Sequence, residues 1–569
     1  MKALYKIFLF VSAAALLAPG CKKYVDVTNP DTLYDPSYWK NENSVRSYSW
    51  EFYNMFVGYA NGSATNGDFY FPALTDDQAA ATYTQFPLTT ASTNGDWSFT
   101  YVRKANIMLE RIDGVAMADE AKNHWKGVAR FFRALQYYRL VQTFGGVPWF
   151  SRSLDISDST QIYKPRDSRQ LVMDSVLADL TFAVASLRQK DQDNTINKDV
   201  ALAFKARMAL FEGTYRKYHT ELSLPDADKY LLEAKTAAQS LILSASYALG
   251  SNYQATYNSD NLAGNKEILL YKRYETGLLQ HSLIAYNYSS TAMNGLSKSA
   301  VESYLATDGL PIGLSPLYLG DDTITKVVAN RDRRLKLSID TTYLYYKGHE
   351  TNAQSKVYSG LSSSTGYRPN KFLPDSNKIK TIPTAINTAI TDAPLFWLAE
   401  VYLNYAEAAA ELDQLGKYAI TQADLDLSVN KLRARAGVAA LQTLGGQNTA
   451  VRGIAFTDPK KDASVPSLIW EIRRERRVEL MMDGFRFQDL MRWKKGTYMD
   501  SNVNPDGYLG AKVPDNGSVR RNAQGYIMPY TAAQQRTFTD PKNYLSAIPT
   551  SQILLYPANS QGSMQNPGW

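Results

Sequence analysis

The sequence is almost without cysteine: Cys21 is the only one in 569 residues. No disulfide can form within the chain, and a metal centre built on several thiolates is excluded. Histidine is nearly as scarce, and the four present, His124, His219, His281 and His349, have no metal-type partner three or four residues away. This argues against a histidine-built zinc or base site, and no metal site is expected. Also missing are a glycine-rich phosphate loop, a Gly-x-Ser-x-Gly nucleophile elbow and any long block of Lys and Arg. The formal charge is +7, and Lys2 and Lys6 contribute to it from the extreme amino terminus. Spread over this length, it leaves no electrostatic footprint for nucleic acid. Long apolar runs are absent too: Ile7–Leu17 falls short of the roughly 20 apolar residues a spanning helix needs.

What is present describes a folded protein, with hydrophobic residues at 44% and charged residues at 21%. The length allows two or three compact units or one large helical array. Tyrosine is abundant, 39 against 21 Phe. Its apolar body and polar tip suit half-buried helix packing and a wet recognition surface equally.

Two lysines, a short apolar stretch and the small residues Ala18-Pro19-Gly20 give residues 1–20 the architecture of a signal peptide, so the chain is read as exported. Cys21 follows directly and resembles the acylated cysteine of a bacterial lipoprotein signal, although Leu17 stands four positions before it where the usual box has leucine three before. The alternative is a free thiol beside a conventional cleavage site. Acyl chains on Cys21 would anchor the protein stably, since each buried methylene adds about 0.8 kcal/mol. Residues 22–41 are polar and carry Pro30 and Pro36, so 21–41 reads as a lipidated tether.

Residues 42–250 are predicted to be a helical region, with loop chemistry over Gly58–Gly95. From Trp97 to about His219 the 3.6-residue period dominates, and Val128, Phe132, Leu135 and Tyr138 form one stripe that Gly145-Gly146 and Pro148 bring to a stop. A further helix spans Asp226–Ser244, with Asp226 as its N-cap. Successive helices with short breaks imply antiparallel pairs, although no fixed-period repeat is visible. Residues 251–391 read as a loop-rich insertion with a few short strands, inside a C-terminal region of 251–569. Helices return at Pro394–Leu415, with the stripe Leu398, Tyr402, Tyr405 and Ala409, then at Leu425–Ala436 and Ser467–Met482. Trp97, Trp149 and Trp397 lie in or beside helix motifs and are assigned to the core.

In "SLIWEIRRERRVELMMDGF" the stripe begun by Leu468 and Ile472 continues into Glu475, Arg476 and Glu479. Charges at apolar positions mean either a solvated face of i,i+4 pairs or a buried, fully paired network that fixes geometry. We favour the network, as structure rather than catalysis. The adjacent acids Asp76-Asp77 and Asp321-Asp322 do not make a glycosidase, which needs two carboxyls facing each other across a cleft. "DQDNTIN" from Asp191 alternates oxygens like a calcium loop, but Ile196 holds the position that needs glycine, so it reads as a loop leading into a helix.

Several stretches together resemble the SusD/RagB family of Bacteroidetes surface lipoproteins: "CKKYVDVTNP", "WSFTYVRKANIMLERI", "ARFFRALQYYRLVQTFGGVPWF", "SYLATDGLPI", "NRDRRL", "PLFWLAEVYLNYAEA", "VNKLRARAGV", "RRERRVELMMDGFRFQDLMRW" and the ending "MQNPGW". The resemblance covers nearly the whole mature chain, with Trp569 where the family ending often has Tyr. It implies a mostly α fold on a tetratricopeptide-like helical-hairpin scaffold with long loop-rich insertions and a few short strands. It further implies an outer-membrane, lipid-anchored, surface-exposed protein that captures oligosaccharides for a SusC-like TonB-dependent transporter, without catalysis or cofactor. An oligopeptide ligand is the alternative on the same scaffold, and a secreted glycosidase is the alternative of a different class. The family motifs are scaffold motifs and designate no ligand residues. A sugar ring offers apolar faces and hydroxyl edges, so aromatic and carboxylate groups in loops are the candidates. Tyr70, Asp77, Tyr83, Phe86, Tyr286 and Tyr288 meet that description.

Overall fold

The computed structural model describes residues 38–65, 67–70, 74–287, 294–342, 344, 363–374, 385–515, 517 and 519–569. Cys21 with most of its tether, His349 and Tyr288 lie outside them.

The fold is mostly helical. Helix α1 (Glu42–Ser49) is capped by Asn41, whose side chain accepts from the Ser44 amide. It is followed by α2 (Thr100–Ile112), α3 (Asp119–Phe144), α4 (Arg169–Ser186), α5 (Lys198–Tyr218) and α6 (Ala227–Leu243), each of which from α3 onward packs on its predecessor in chain order. Neighbour-on-neighbour packing of consecutive helices is the tetratricopeptide-like hairpin arrangement. Ser168 and Asn197 cap α4 and α5 by accepting from the Leu171 and Val200 amides, supplying acceptors for otherwise unpaired first-turn donors. A Cβ on Gly213 of α5 would lie 2.9 Å from Leu231 Cγ, so glycine permits the close approach of α6. Asp226 corrects the sequence reading: it precedes α6 in a left-handed conformation (φ 64°), and its side chain caps nothing.

The C-terminal part is built on α7 (Leu398–Gln414), α8 (Val429–Ala436), α9 (Ser467–Glu479) and α10 (Arg486–Arg492). The segment read as one helix from Pro394 opens instead as a strand, Ala393–Trp397, which pairs antiparallel with Ile268–Lys272 before α7 starts. The helix read over Leu425–Ala436 breaks at Ser428 (φ −128°, ψ −99°), and α9 ends at Glu479 because Met482 turns left-handed (φ 66°). Helix α7 is buried on both sides. Leu398, Val401, Tyr405, Ala408 and Leu412 enter the core of α2–α6, while Ala399, Leu403, Ala406, Ala409 and Ala410 enter a second core with α8 and α9. Trp397 is buried in that second core, and Trp97 and Trp149 pack on the first.

The far end of the chain returns to the end of α3. Arg166 donates to the carbonyls of Phe144 (2.6 Å), Gly146 (2.6 Å) and Met564 (2.9 Å). Asn566 donates to the carbonyls of Phe144 and Ser546, and the Trp569 indole donates to those of Lys542 and Leu545. No described helix is long and apolar enough to cross a membrane.

Candidate functional site

The structure spreads the described sequence candidates over several clusters: Tyr70 and Tyr286 lie at the second core, Phe86 packs with Phe538, and Tyr83 packs with Tyr530. Gln78–Ala80 pairs antiparallel with Asn294–Leu296, Ala80 opposite Asn294. Three of the six candidates, Tyr70, Asp77 and Phe86, are buried and engaged in packing or pairing. Tyr70 is buried in the second core, edge-on to Phe372, in a left-handed conformation (φ 69°). Asp77 is buried against Arg477 at 2.6 Å. Phe86 is buried edge-on to Phe538. Loop composition is the same for a loop that lies on the surface and one that closes over a core, and these close over a core. Tyr83 stays half-buried, edge-on to Tyr530, and Tyr286 stays half-buried with its hydroxyl donating to the Ser63 carbonyl at 2.7 Å.

Glu475, Arg476 and Glu479 are buried on α9, and all three are paired. Arg334 donates to Asp332, lies 2.7 Å from Glu475 and donates to Glu479 at 2.7 Å. Glu475 also accepts from Arg433 (3.0 Å), and Glu479 from Arg435. Arg476 donates to Asp489 (2.8 Å) and Asn404 (2.9 Å). Burial alone would push the Glu479 carboxyl up, but the guanidiniums of Arg435 and Arg334 hold it below the ordinary value. The same competition at Asp76, between burial and the guanidiniums of Arg477 and Arg486, leaves its carboxyl below the usual carboxylate range.

The side of α9 turned toward Ser299 lines an open cleft of about 450 Å³. Trp470, Arg473, Arg474 and Arg477 recur at i, i+3, i+4 and i+7, the spacing of one helix face. Trp493 just past α10, Tyr498 in the turn Gly496–Met499, and the short helix Lys298–Ser303 complete the walls. Trp470 and Tyr498 are half-buried, with partly accessible rings, and their polar ends are fixed: the indole donates to Asp458 (3.0 Å) and the phenol to Asp462. Lys495 donates to Asp462 at 2.7 Å, and Lys298 and Lys460 both bind Glu302. Against the effect of burial, Lys495 and Tyr498 hold the Asp462 carboxyl well below the usual range. Arg473 lies over Trp493 at 4.3 Å, and its Nε is buried without a hydrogen-bond partner. A cleft of this size, with aromatic faces and a rim of fixed donors and acceptors, suits a ligand with apolar faces and hydroxyl edges.

Of the residues lining the cleft, Asp76 alone stands out in the sequence, as one of an adjacent acid pair. The usable signal was Trp470 with three arginines on one helix face; the segments around 76, 298–303 and 493–506 carry no mark of their convergence. Elsewhere, the oxygens of the "DQDNTIN" loop serve the protein, with Asp191 paired to Arg46 and Arg188 and Asn194 bonded to the Tyr271 backbone. Among the described residues no group of His, Cys, Asp and Glu is arranged to hold a metal ion.

Comparison with known proteins gives a consistent result. A model described as the SusD family matches residues 241–569, and another, described as starch-binding and associating with the outer membrane, matches residues 40–210. A SusD-like protein of Formosa agariphila is 24% identical over 501 residues, which span 85% of this chain and 90% of the relative. A SusD-like carbohydrate-binding protein from Bacteroides fragilis has a similar structure, with a TM-score of 0.66 at 21% identity over 91% of this chain and 99% of that one. A laminarin-binding SusD-like protein has a TM-score of 0.56 at 18% identity, over 93% and 100% of the two chains.

Proposed function

The chain belongs to the SusD family, and we propose that it is a non-catalytic receptor that captures an oligosaccharide at the cell surface and passes it to a SusC-like TonB-dependent transporter. The observation that carries the binding reading is the 450 Å³ cleft with Trp470 and Tyr498 on its wall. Aromatic faces take the C–H faces of a sugar, and the fixed carboxylates and cations of the rim take its hydroxyls. The comparisons support it: one matching family model is described as starch-binding and associating with the outer membrane, and relatives of this shape are described as carbohydrate-binding.

The absence of catalysis is proposed from the state of the carboxyls. A glycosidase keeps one acid protonated, with its pKa raised. In the cleft, Asp458 is held by Arg474 and Trp470, and Asp462 by Lys495 and Tyr498; both are drawn below the ordinary value against the effect of burial. Acyl groups on Cys21, with residues 22–41 as tether, would keep this face at the outer membrane.

Calorimetric titration of the purified chain with a panel of neutral and charged oligosaccharides tests the reading. Binding without hydrolysis is expected for at least one of them, with Trp470→Ala weakening it about tenfold or more. Binding of peptides alone, or turnover of a glycan at an enzyme-like rate, overturns it. Co-purification of a large outer-membrane barrel from native membranes tests the transporter partner.

A further inference from the structure

A second hollow lies where α3, α5 and the strand Ala393–Trp397 meet the turn into α10. Its volume is about 220 Å³, and its walls combine charged groups with aromatic rings, among them Phe56, Phe69, Tyr138 and Phe485. Most of the charges on these walls are matched by their own partners: Arg207 by Glu400 (2.6 Å), Arg476 by Asp489 (2.8 Å), Arg492 by Glu407 and Asp483 by Lys371 (2.7 Å).

Two charges are not. The Asp68 carboxylate accepts from the Gly58 amide at 3.1 Å, and among the described residues no cation lies within ion-pair distance of it. Asp68 is exposed and stands on the wall of the hollow. Arg139 donates through Nη1 to the Met55 carbonyl at 2.7 Å and has no carboxylate at contact distance among the described residues. Asp68 acts on it only through space. The protein walls around them disfavour the charge of both, raising the Asp68 pKa and lowering that of Arg139. A third group is unanswered: Gln488 Oε1 is buried without a hydrogen-bond partner. The placement of Asp68 is built in. Gly484, at φ +82°, lies so close that a Cβ there would stand 2.1 Å from the Asp68 carbonyl oxygen, and two residues on, the Tyr70 amide donates to the Met482 carbonyl.

An unpaired carboxylate and an unpaired guanidinium on one hollow, the first exposed and the second half-buried, are open to a ligand that gives each a charge-assisted hydrogen bond. We propose that this hollow binds a small zwitterion of the α-amino-acid class with an apolar side chain, its carboxylate on Arg139, its ammonium on Asp68 and its side chain among the aromatic rings. A neutral sugar would leave both charges uncompensated. The volume falls below the roughly 300 Å³ at which drug-sized pockets begin, which limits the ligand to about one residue. Gln142 and Gln488 line both this hollow and an adjoining one of about 370 Å³ next to Trp569, and Asp68 on its wall is exposed.

The test uses the full folded chain and does not depend on the glycan cleft. L-Leucine and L-phenylalanine are titrated by calorimetry, beside phenylpropionate, phenethylamine and glucose. Binding of the amino acids with at least about tenfold preference over the singly charged analogues is expected. Arg139→Gln and Asp68→Asn should each weaken it by a similar factor, while Asp68→Glu, which restores the charge, should recover part of it. Unchanged circular dichroism and cooperative melting keep loss of folding apart from loss of binding. Equal binding of glucose, no heat with either amino acid at millimolar concentration, or undiminished affinity in both charge-removing variants overturns the assignment.

Discussion

Helices α3 and α9 are both buried along most of their length, and they reach that state by opposite means. In α3 the buried side chains are mainly hydrocarbon and aromatic: Phe132 stacks on Phe52 with centroids 5.1 Å apart and meets Tyr53 and Phe56 at its edges. In α9, Glu471, Glu475 and Glu479 run at i, i+4 and i+8 toward Arg433, Arg334 and Arg435, while Arg473, Arg474 and Arg477 look toward the cleft. A helix with an acidic stripe and a basic stripe cannot exchange its two sides without opposing like charges. The hydrocarbon helix gains more from transfer out of water, and the ionic helix is tied more firmly to one orientation.

Removing one carboxylate from α9 should have the largest effect. Glu479→Ala leaves two buried guanidiniums short of one carboxylate, Arg334 keeping Asp332 and Glu475 and Arg435 keeping Glu267, and is expected to cost about 3–5 kcal/mol by urea unfolding. A cost under about 1 kcal/mol would show that the ionic helix is not held as described. Leu140→Ala, fully inside the α3 core, is expected to cost about 2–5 kcal/mol through lost transfer energy and a cavity. That cost should be nearly independent of pH, which sets the two helices apart in one experiment.

The next contrast is pH itself. Burial opposes ionisation of Glu407, but Arg492 and its neighbours draw the carboxyl down from 4.5 to about 2. Its stabilising contribution is therefore present above about pH 4.5 and is lost as pH falls toward 2, on the order of 3 kcal/mol in all. Stability measured across this window should fall less steeply in Glu407→Gln than in the parent chain, and identical slopes would contradict the assignment. The smallest effect is expected at the surface. Asp158→Ala breaks the exposed pair with Arg152 (3.0 Å) and should change stability by about 0–1 kcal/mol, less in added salt.

The same contrast decides what the sequence could reveal. The α3 stripe of Val128, Phe132, Leu135 and Tyr138 is legible because burial by hydrocarbon repeats with the helix, and all four are buried. The charges on α9 are legible as misplaced, because they fall where that period asks for apolar residues. Their partners are not, since Arg334 and Glu479 stand 145 positions apart and nothing local marks one for the other. The cleft is hidden for the same reason, assembled from segments without a shared pattern. Tyr70, Asp77 and Phe86 show the converse limit, where polar composition marks a loop without saying which way it faces. Asp226 has the residue type of a cap, and the backbone turn after Pro225 takes it out of capping geometry.

The bonds from Arg166, Asn566 and Trp569 around the end of α3 have a temporal consequence. A chain made from its amino terminus completes α3 more than four hundred residues before Asn566, which bonds the Phe144 carbonyl, exists. Loop closure over such a span comes late, after local helices have formed. The helical half can thus collapse early without its final fastening, and a product cut short before Met564 would leave the Phe144 and Ser546 carbonyls without the Asn566 amide. Completion of synthesis is in this way written into the stability of the part made first.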